Sequence, residues 1–107
     1  MAYGIALAAL ADPTRRQVFE RLRAGARPVG DIAAGLPVSR PAVSQHLKVL
    51  EEAGLVRHER QGTRHIYAID PAGLGALRRW LDRFWDEALG AFQAEIEGGA
   101  KQQGKKR

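Results

Sequence analysis

The stretch "VSRPAVSQHLKVLEEAGLV", residues 38–56, decides how the rest of the chain is read. Val43, Leu47 and Leu50 recur at helical spacing. Ser39 supplies an oxygen to cap the first N–H groups, and Pro41 sits in the first turn, where its missing N–H leaves no gap. Gly54 fits the position just past the helix end. On a wheel of about 100° per residue, Pro41, Ser44, Gln45, Lys48 and Glu52 fall opposite the apolar stripe. A helix that only packs has no use for small and hydrogen-bonding residues at the start of its outer face. That face needs a partner.

The flanking segments place this helix fourth. Tyr3–Leu10 reads as a short apolar helix. Asp12-Pro13 then restarts the chain with a cap and a proline, and a second helix carries Val18, Phe19 and Leu22 to about Ala24, where Gly25 is placed to end it. Pro28-Val29 is extended, Gly30–Gly35 is a short third helix with Ile32 and Ala33, and Leu36-Pro37 turns the chain. After the fourth helix, Leu55–Arg60 and Arg64–Ile69 have strand character around "QGT" and read as a hairpin. Asp70-Pro71 repeats the helix start, and Leu77, Leu81, Phe84, Trp85, Ala88, Phe92 and Ile96 follow at helical spacing. Gly98-Gly99 is expected to end the ordered part. The pattern predicts a mainly α chain with a small β-hairpin, in the order α-α-α-α-β-β-α. A short helix, a brief turn and a capped helix form a helix-turn-helix, and the hairpin behind it is a wing. Residues 1–97 form one winged helix-turn-helix domain, and residues 98–107 a basic, disordered tail.

Composition narrows the classes. The 107 residues suit one domain, and 45% of them are hydrophobic, as a folded protein requires. There is no cysteine, which removes disulfides, thiolate metal sites and thiol redox sensing, and fits a cytoplasmic protein. The opening "MAYGIALAALADP" lacks a basic residue before its short apolar run, so it reads as a helix of the fold and not as a secretion signal. No run approaches the length that crosses a bilayer, so no membrane role is expected. The net charge of +5 comes from 17 basic and 12 acidic residues, and Lys101, Lys105, Lys106 and Arg107 lie in the tail. Residues 1–100 are left with 13 basic against 12 acidic groups, so bulk charge argues weakly for nucleic acid and the local pattern must carry the case.

That pattern is chemically suited to DNA. In a helix-turn-helix the start of the second helix enters the major groove. Arg40 can bond guanine O6 and N7, and Gln45 adenine N6 and N7. Ser39 and the free N–H groups of the first turn suit a phosphate, Ala42 leaves room for a thymine methyl, and Lys48 reaches toward backbone phosphate. Glu51 and Glu52 would repel phosphate, but they sit at the far end of the helix. At the wing, Gly62 permits a tight tip, Thr63 completes it, and Arg60 and Arg64 flank it to straddle a phosphate or enter the minor groove.

The segments "LADPTRRQVFERL", "VSRPAVSQHLKVLEEAGLV" and "GTRHIYAID" together resemble the ArsR family of small winged-helix repressors, over roughly residues 5–92. The resemblance implies a homodimeric repressor on double-stranded DNA with a two-fold symmetric operator, often its own gene's. It places the DNA-reading positions at Ser39, Arg40, Ser44, Gln45 and His46. It also implies a subunit interface from the first and last helices, here Ile5, Leu7, Leu10, Leu81, Phe84, Trp85, Ala88 and Phe92. The aromatic load of the last helix fits such a seam, because a chain this small could not cover Trp80, Phe84, Trp85 and Phe92 along with its core.

The departures point away from metal sensing. Metal-sensing members often carry Cys-x-Cys in the third helix, where this chain has "GDIAAGL", and the last helix has no histidine. Asp82 and Asp86 share a face, but Arg78, Arg79 and Arg83 stand beside them and intrahelical ion pairs explain the pattern. No metal and no cofactor is therefore expected. If Arg60 faces Arg64 across the tip, His65 faces Glu59 as a cross-strand pair. Arg15 and Arg16 stand at a helix start, where the dipole does not favour them, so one of the two is expected to pair with a carboxylate or touch a phosphate, and the sequence does not choose. A regulator sensing a small hydrophobic ligand or a carboxylate-bound metal at the seam is the alternative. A protein-interaction module would present an acidic or apolar fourth helix, against Arg40, Gln45 and Lys48. An enzyme is not expected, since no Ser, His and carboxylate stand at a telling spacing.

Overall fold

Asp12 and Ser39 start their helices as expected in the computed structural model, which describes the backbone of residues 2–106 and the side chains of residues 4–98. The elements are α1 (Ala2–Ala11), α2 (Pro13–Glu20), β1 (Arg27–Pro28), α3 (Val29–Ala34), α4 (Arg40–Glu52), β2 (Val56–Gln61), β3 (Arg64–Ile69) and α5 (Pro71–Lys106). Asp12 is extended and its carboxylate accepts the Arg15 N–H at 2.9 Å. Ser39 is extended too, and its hydroxyl accepts the Ala42 N–H at 3.3 Å. α4 closes with paired bonds from Gly54 N–H to the Glu51 carbonyl and from Leu55 N–H to the Leu50 carbonyl, both 3.0 Å. This double bond pattern needs a left-handed residue at Gly54, whose φ is +80°.

Besides shifts of a residue at the ends of α3 and β2, three differences from expectation stand out. α2 stops at Glu20, and the segment to Gly25 continues as tight turns, with Leu22, Arg23 and Gly25 bonding the carbonyls three residues back. Leu22 stays buried all the same. Arg27 and Pro28 form a short third strand, with Arg27 opposite Tyr67 and Pro28 opposite Ile66, so the hairpin is part of an antiparallel sheet ordered β1-β3-β2. The last helix runs through Gly98-Gly99 to Lys106 instead of ending there. The side chains of Lys101, Lys105, Lys106 and Arg107 lie outside the described residues, whereas the backbone of the expected disordered tail is helical from residue 98 to Lys106.

The hairpin register is one residue tighter than expected. Gln61 faces Arg64, Arg60 faces His65 and Glu59 faces Ile66. Only Gly62 and Thr63 make the turn. Gly62 has φ +64° and no other residue type among the described ones has positive φ, so the turn is of the kind that needs a left-handed first position only. The expected Glu59–His65 pair therefore does not form.

Two units divide the chain, residues 1–77 and residues 78–107. The core of the first contains Val18, Leu22, Ile32, Val43, Leu47, Leu50, Leu55 and Val56, with Ala6 and Ala9 of α1 against it. The Arg15 and Arg16 guanidiniums donate to the Ala9 and Leu10 carbonyls at 3.1 and 2.9 Å, satisfying open groups at the end of α1. These partners are backbone carbonyls, neither the carboxylate nor the phosphate expected from the sequence. Residues 78–107 are helical up to Lys106. Trp80 and Phe84 stack there with ring centres 5.6 Å apart, and Arg78 pairs with Asp82 at 3.6 Å.

Candidate nucleic-acid interface

α4 divides its two faces sharply. Val43, Leu47 and Leu50 are fully buried, while Arg40, Ser44, Gln45 and Lys48 are exposed. Ala42 is half-buried in the first turn. His46 is half-buried too and lies near enough to Asp12 to act on its carboxylate, so it belongs to the flank of α4 that meets the start of α2. The Ser39 hydroxyl accepts as a cap and keeps its own O–H free to donate. The Arg40 guanidinium lies beside Gly30, at the start of α3.

The wing extends the same surface. Thr63 and Arg64 are exposed at its tip. Arg60 is exposed as well, but its Nε donates to the Gly62 carbonyl at 3.1 Å, so the guanidinium folds over its own turn. With the observed register, Arg60 and Arg64 do not face each other.

A groove of about 390 Å³ lies between α4, the start of α3 and the wing. Arg40, Ser44, Thr63 and Arg64 line it, with Asp31 as a negative group. His58, His65 and Tyr67 line it too, and none of them was singled out for this surface from sequence. The available signal was alternation: residues two apart on a strand share a face, so His58 goes with Arg60 and His65 with Tyr67. The rings gather as the register dictates. His58 stacks on Tyr67 at 4.9 Å and lies 5.3 Å from His65. His58 Nδ1 is 2.7 Å from Glu51 Oε2 at the end of α4. A carboxylate only accepts, so Nδ1 carries the proton. Burial, and then the Glu51 charge, pushes the Tyr67 hydroxyl above its ordinary range.

The expected seam residues lie on two elements. On α1, Ile5 and Leu7 are exposed, whereas Leu10 packs partly against the core. In residues 78–107, Leu81, Phe84, Trp85, Ala88 and Phe92 are exposed, joined by Leu89 and Ile96. Among the described residues no three His, Asp or Glu side chains are placed to hold a metal ion, and no helix is long and apolar enough to cross a membrane.

A family model for a helix-turn-helix domain matches residues 10–59. The chain is 57% identical over 89 residues to an HTH-type transcriptional regulator, Rv2034, of Mycobacterium tuberculosis (strain ATCC 25618 / H37Rv), covering 83% of each. It is 33% identical over 76 residues to the transcriptional repressor SdpR of Bacillus subtilis (strain 168), covering 71% of this chain and 84% of that one. Among solved structures, it is similar to the homodimeric winged helix-turn-helix DNA-binding domain of a possible ArsR-family transcriptional regulator from Mycobacterium bovis. That similarity has a TM-score of 0.65 at 31% identity and covers 82% of each chain.

Proposed function

The chain belongs to the ArsR family of winged-helix transcriptional regulators, and from that footing we propose that it is a homodimeric, metal-independent repressor, not an enzyme. Residues 1–97 do the work, and the two-fold symmetric operator includes the region of its own gene. The protein acts in the cytoplasm, where that DNA is. The observation that carries this is the two-sided α4. Its apolar stripe is fully buried, while Arg40, Ser44, Gln45 and Lys48 stay free on the other side. Arg40 and Gln45 read base edges from the first turns, and Arg64 and Thr63 hold backbone phosphate from the wing. Leu81, Phe84, Trp85 and Phe92, with Ile5 and Leu7, form the subunit seam, as the homodimeric relative supports.

Footprinting on the DNA around the protein's own gene tests this. Two protected half-sites are expected, about one helical turn or a multiple of it apart. The pattern should be the same with and without chelator. Uniform protection, with no discrete site at protein concentrations below those that saturate nonspecific binding, would overturn the assignment.

A further inference from the structure

We propose that the Glu51–His58 contact positions the wing: it ties α4 to the hairpin and so sets where Arg64 and Thr63 meet the DNA backbone. The inference rests on the assignment of α4 and the wing to DNA given above. The outer part of the hairpin has little else to aim it, because its packing is confined to the base, where Val56 is buried and Tyr67 and Ile69 lie against the core. After Val56 every residue of β2 is exposed, and so are Gly62 through His65. β1 supports only the middle of β3, at Tyr67 and Ile66, on the edge away from β2. Beyond Ile66, toward the tip, the ribbon is two-stranded and exposed, and a two-stranded ribbon without further packing is marginal in water. Among the described residues, the 2.7 Å bond from His58 Nδ1 to Glu51 Oε2 is the one side-chain hydrogen bond that joins α4 to the hairpin.

The bond is well placed to act as a lever. Glu51 belongs to the helix that carries Arg40 and Gln45. His58 lies on β2 directly opposite Tyr67 and stacks on its ring, with His65 beside it nearer the tip. Holding His58 therefore fixes the face of the hairpin that lines the groove with Arg40, Ser44 and Arg64. Both side chains of the pair are about one-third exposed (34% and 35%), so the pair contributes little to overall stability. Its loss should move the wing and leave the protein folded.

The test is a set of operator-binding cycles on the full chain, each variant first shown by melting to be folded at the assay temperature. His58→Ala should weaken operator binding and lower its salt slope toward that of Arg64→Ala. Adding Arg64→Ala to His58→Ala should then cost much less than Arg64→Ala costs in the wild type, a coupling of about five-fold, as for residues that act through one contact. A role in stability alone would leave the two changes additive. His58→Gln keeps a side-chain donor and should recover most of the affinity. Glu51→Gln and Glu51→Ala remove the same charge, but only Gln keeps an acceptor, so Gln should bind better. Should His58→Ala fail to fold, Glu51→Ala carries the same cycle with Arg64. Additive cycles, or Gln no better than Ala at both positions, would overturn the positioning role while Arg64→Ala still weakens the wild type. If Arg64→Ala has no effect in the wild type, the assignment of the wing to DNA fails, and the positioning role with it.

Discussion

Asp12 Oδ1 accepts the backbone N–H of Arg15 at 2.9 Å, and that arginine's Nη1 reaches back to the Ala9 carbonyl at 3.1 Å. One turn thus caps the start of α2 and the end of α1 together. α1 is apolar nearly all round, so it has no polar face to orient it. Its docking depends on the small faces of Ala6 and Ala9 and on these end contacts.

The cap makes a pH prediction. The Arg15 N–H holds the Asp12 carboxyl below its ordinary value of 3.8, helped by the charges of Arg15 and His46 and opposed by partial desolvation. A lowered folded value means that Asp12 adds stability above its unfolded value and loses it as pH falls through the folded one. Melting between about pH 3 and 7 should show a steeper acid decline in the wild type than in Asp12→Asn, with the divergence below about pH 4. Parallel acid limbs would rule the effect out.

The seam makes a second. Trp85 is 62% exposed on a helix whose same face carries Leu81, Phe92 and Ile96. Buried aromatic anchors dominate interfaces, so Trp85→Arg should weaken dimerisation by about 2 kcal/mol or more. Sedimentation at micromolar concentration should find the wild type dimeric and the variant largely monomeric. A wild type that sediments only as monomer would refute the seam.

The effector makes a third. DNA affinity should not respond to zinc, cadmium or EDTA. Asp82, the best-placed carboxylate for a helix-borne site, is already paired with Arg78 at 3.6 Å. A tenfold change in affinity on adding metal, absent in Asp82→Ala/Asp86→Ala, would reveal a carboxylate site instead.

How far the fold was legible follows from where its information lies. Asp12-Pro13, Ser39 with Pro41, and Gly54 are local signals, and each acts as its chemistry suggests. The stripe of Val43, Leu47 and Leu50 is likewise written at fixed spacing. The hairpin register was not, because "RQGTR" accommodates a two- or three-residue turn, and the choice moves His65 from Glu59 to Arg60. β1 is legible only as an extended Pro28, because two residues, one of them proline, carry no alternation; Tyr67 and Ile66 opposite them define the strand. The candidate site split in the same way. Arg40, Ser44 and Gln45 could be placed from one helix, whereas the Glu51–His58 bond joins elements whose approach no local pattern encodes. Glu51, expected only as a charge that repels phosphate, turned out to have a partner.

Recognition makes the fourth prediction, and it separates the two halves of the surface. Arg40 and Gln45 each carry a side chain that can bond two atoms of one base, so replacing either with Ala should cost roughly 1–3 kcal/mol on the operator. Random DNA offers no matching base to lose, so the loss there should be far smaller. Arg64 meets phosphate, which is the same on every sequence. Arg64→Ala should therefore weaken operator and random duplexes alike and lower the salt slope by about one unit. Arg60 is partly spent on the Gly62 carbonyl, so Arg60→Ala should lower the slope less than Arg64→Ala does. Residues 1–100 carry 13 basic against 12 acidic groups, so the whole slope should be moderate and these few contacts should account for most of it. Affinity measured against salt for the four variants on both duplexes decides the matter. If Arg40→Ala and Gln45→Ala lose affinity equally on operator and random DNA, α4 contributes charge and shape only, and sequence must be read elsewhere.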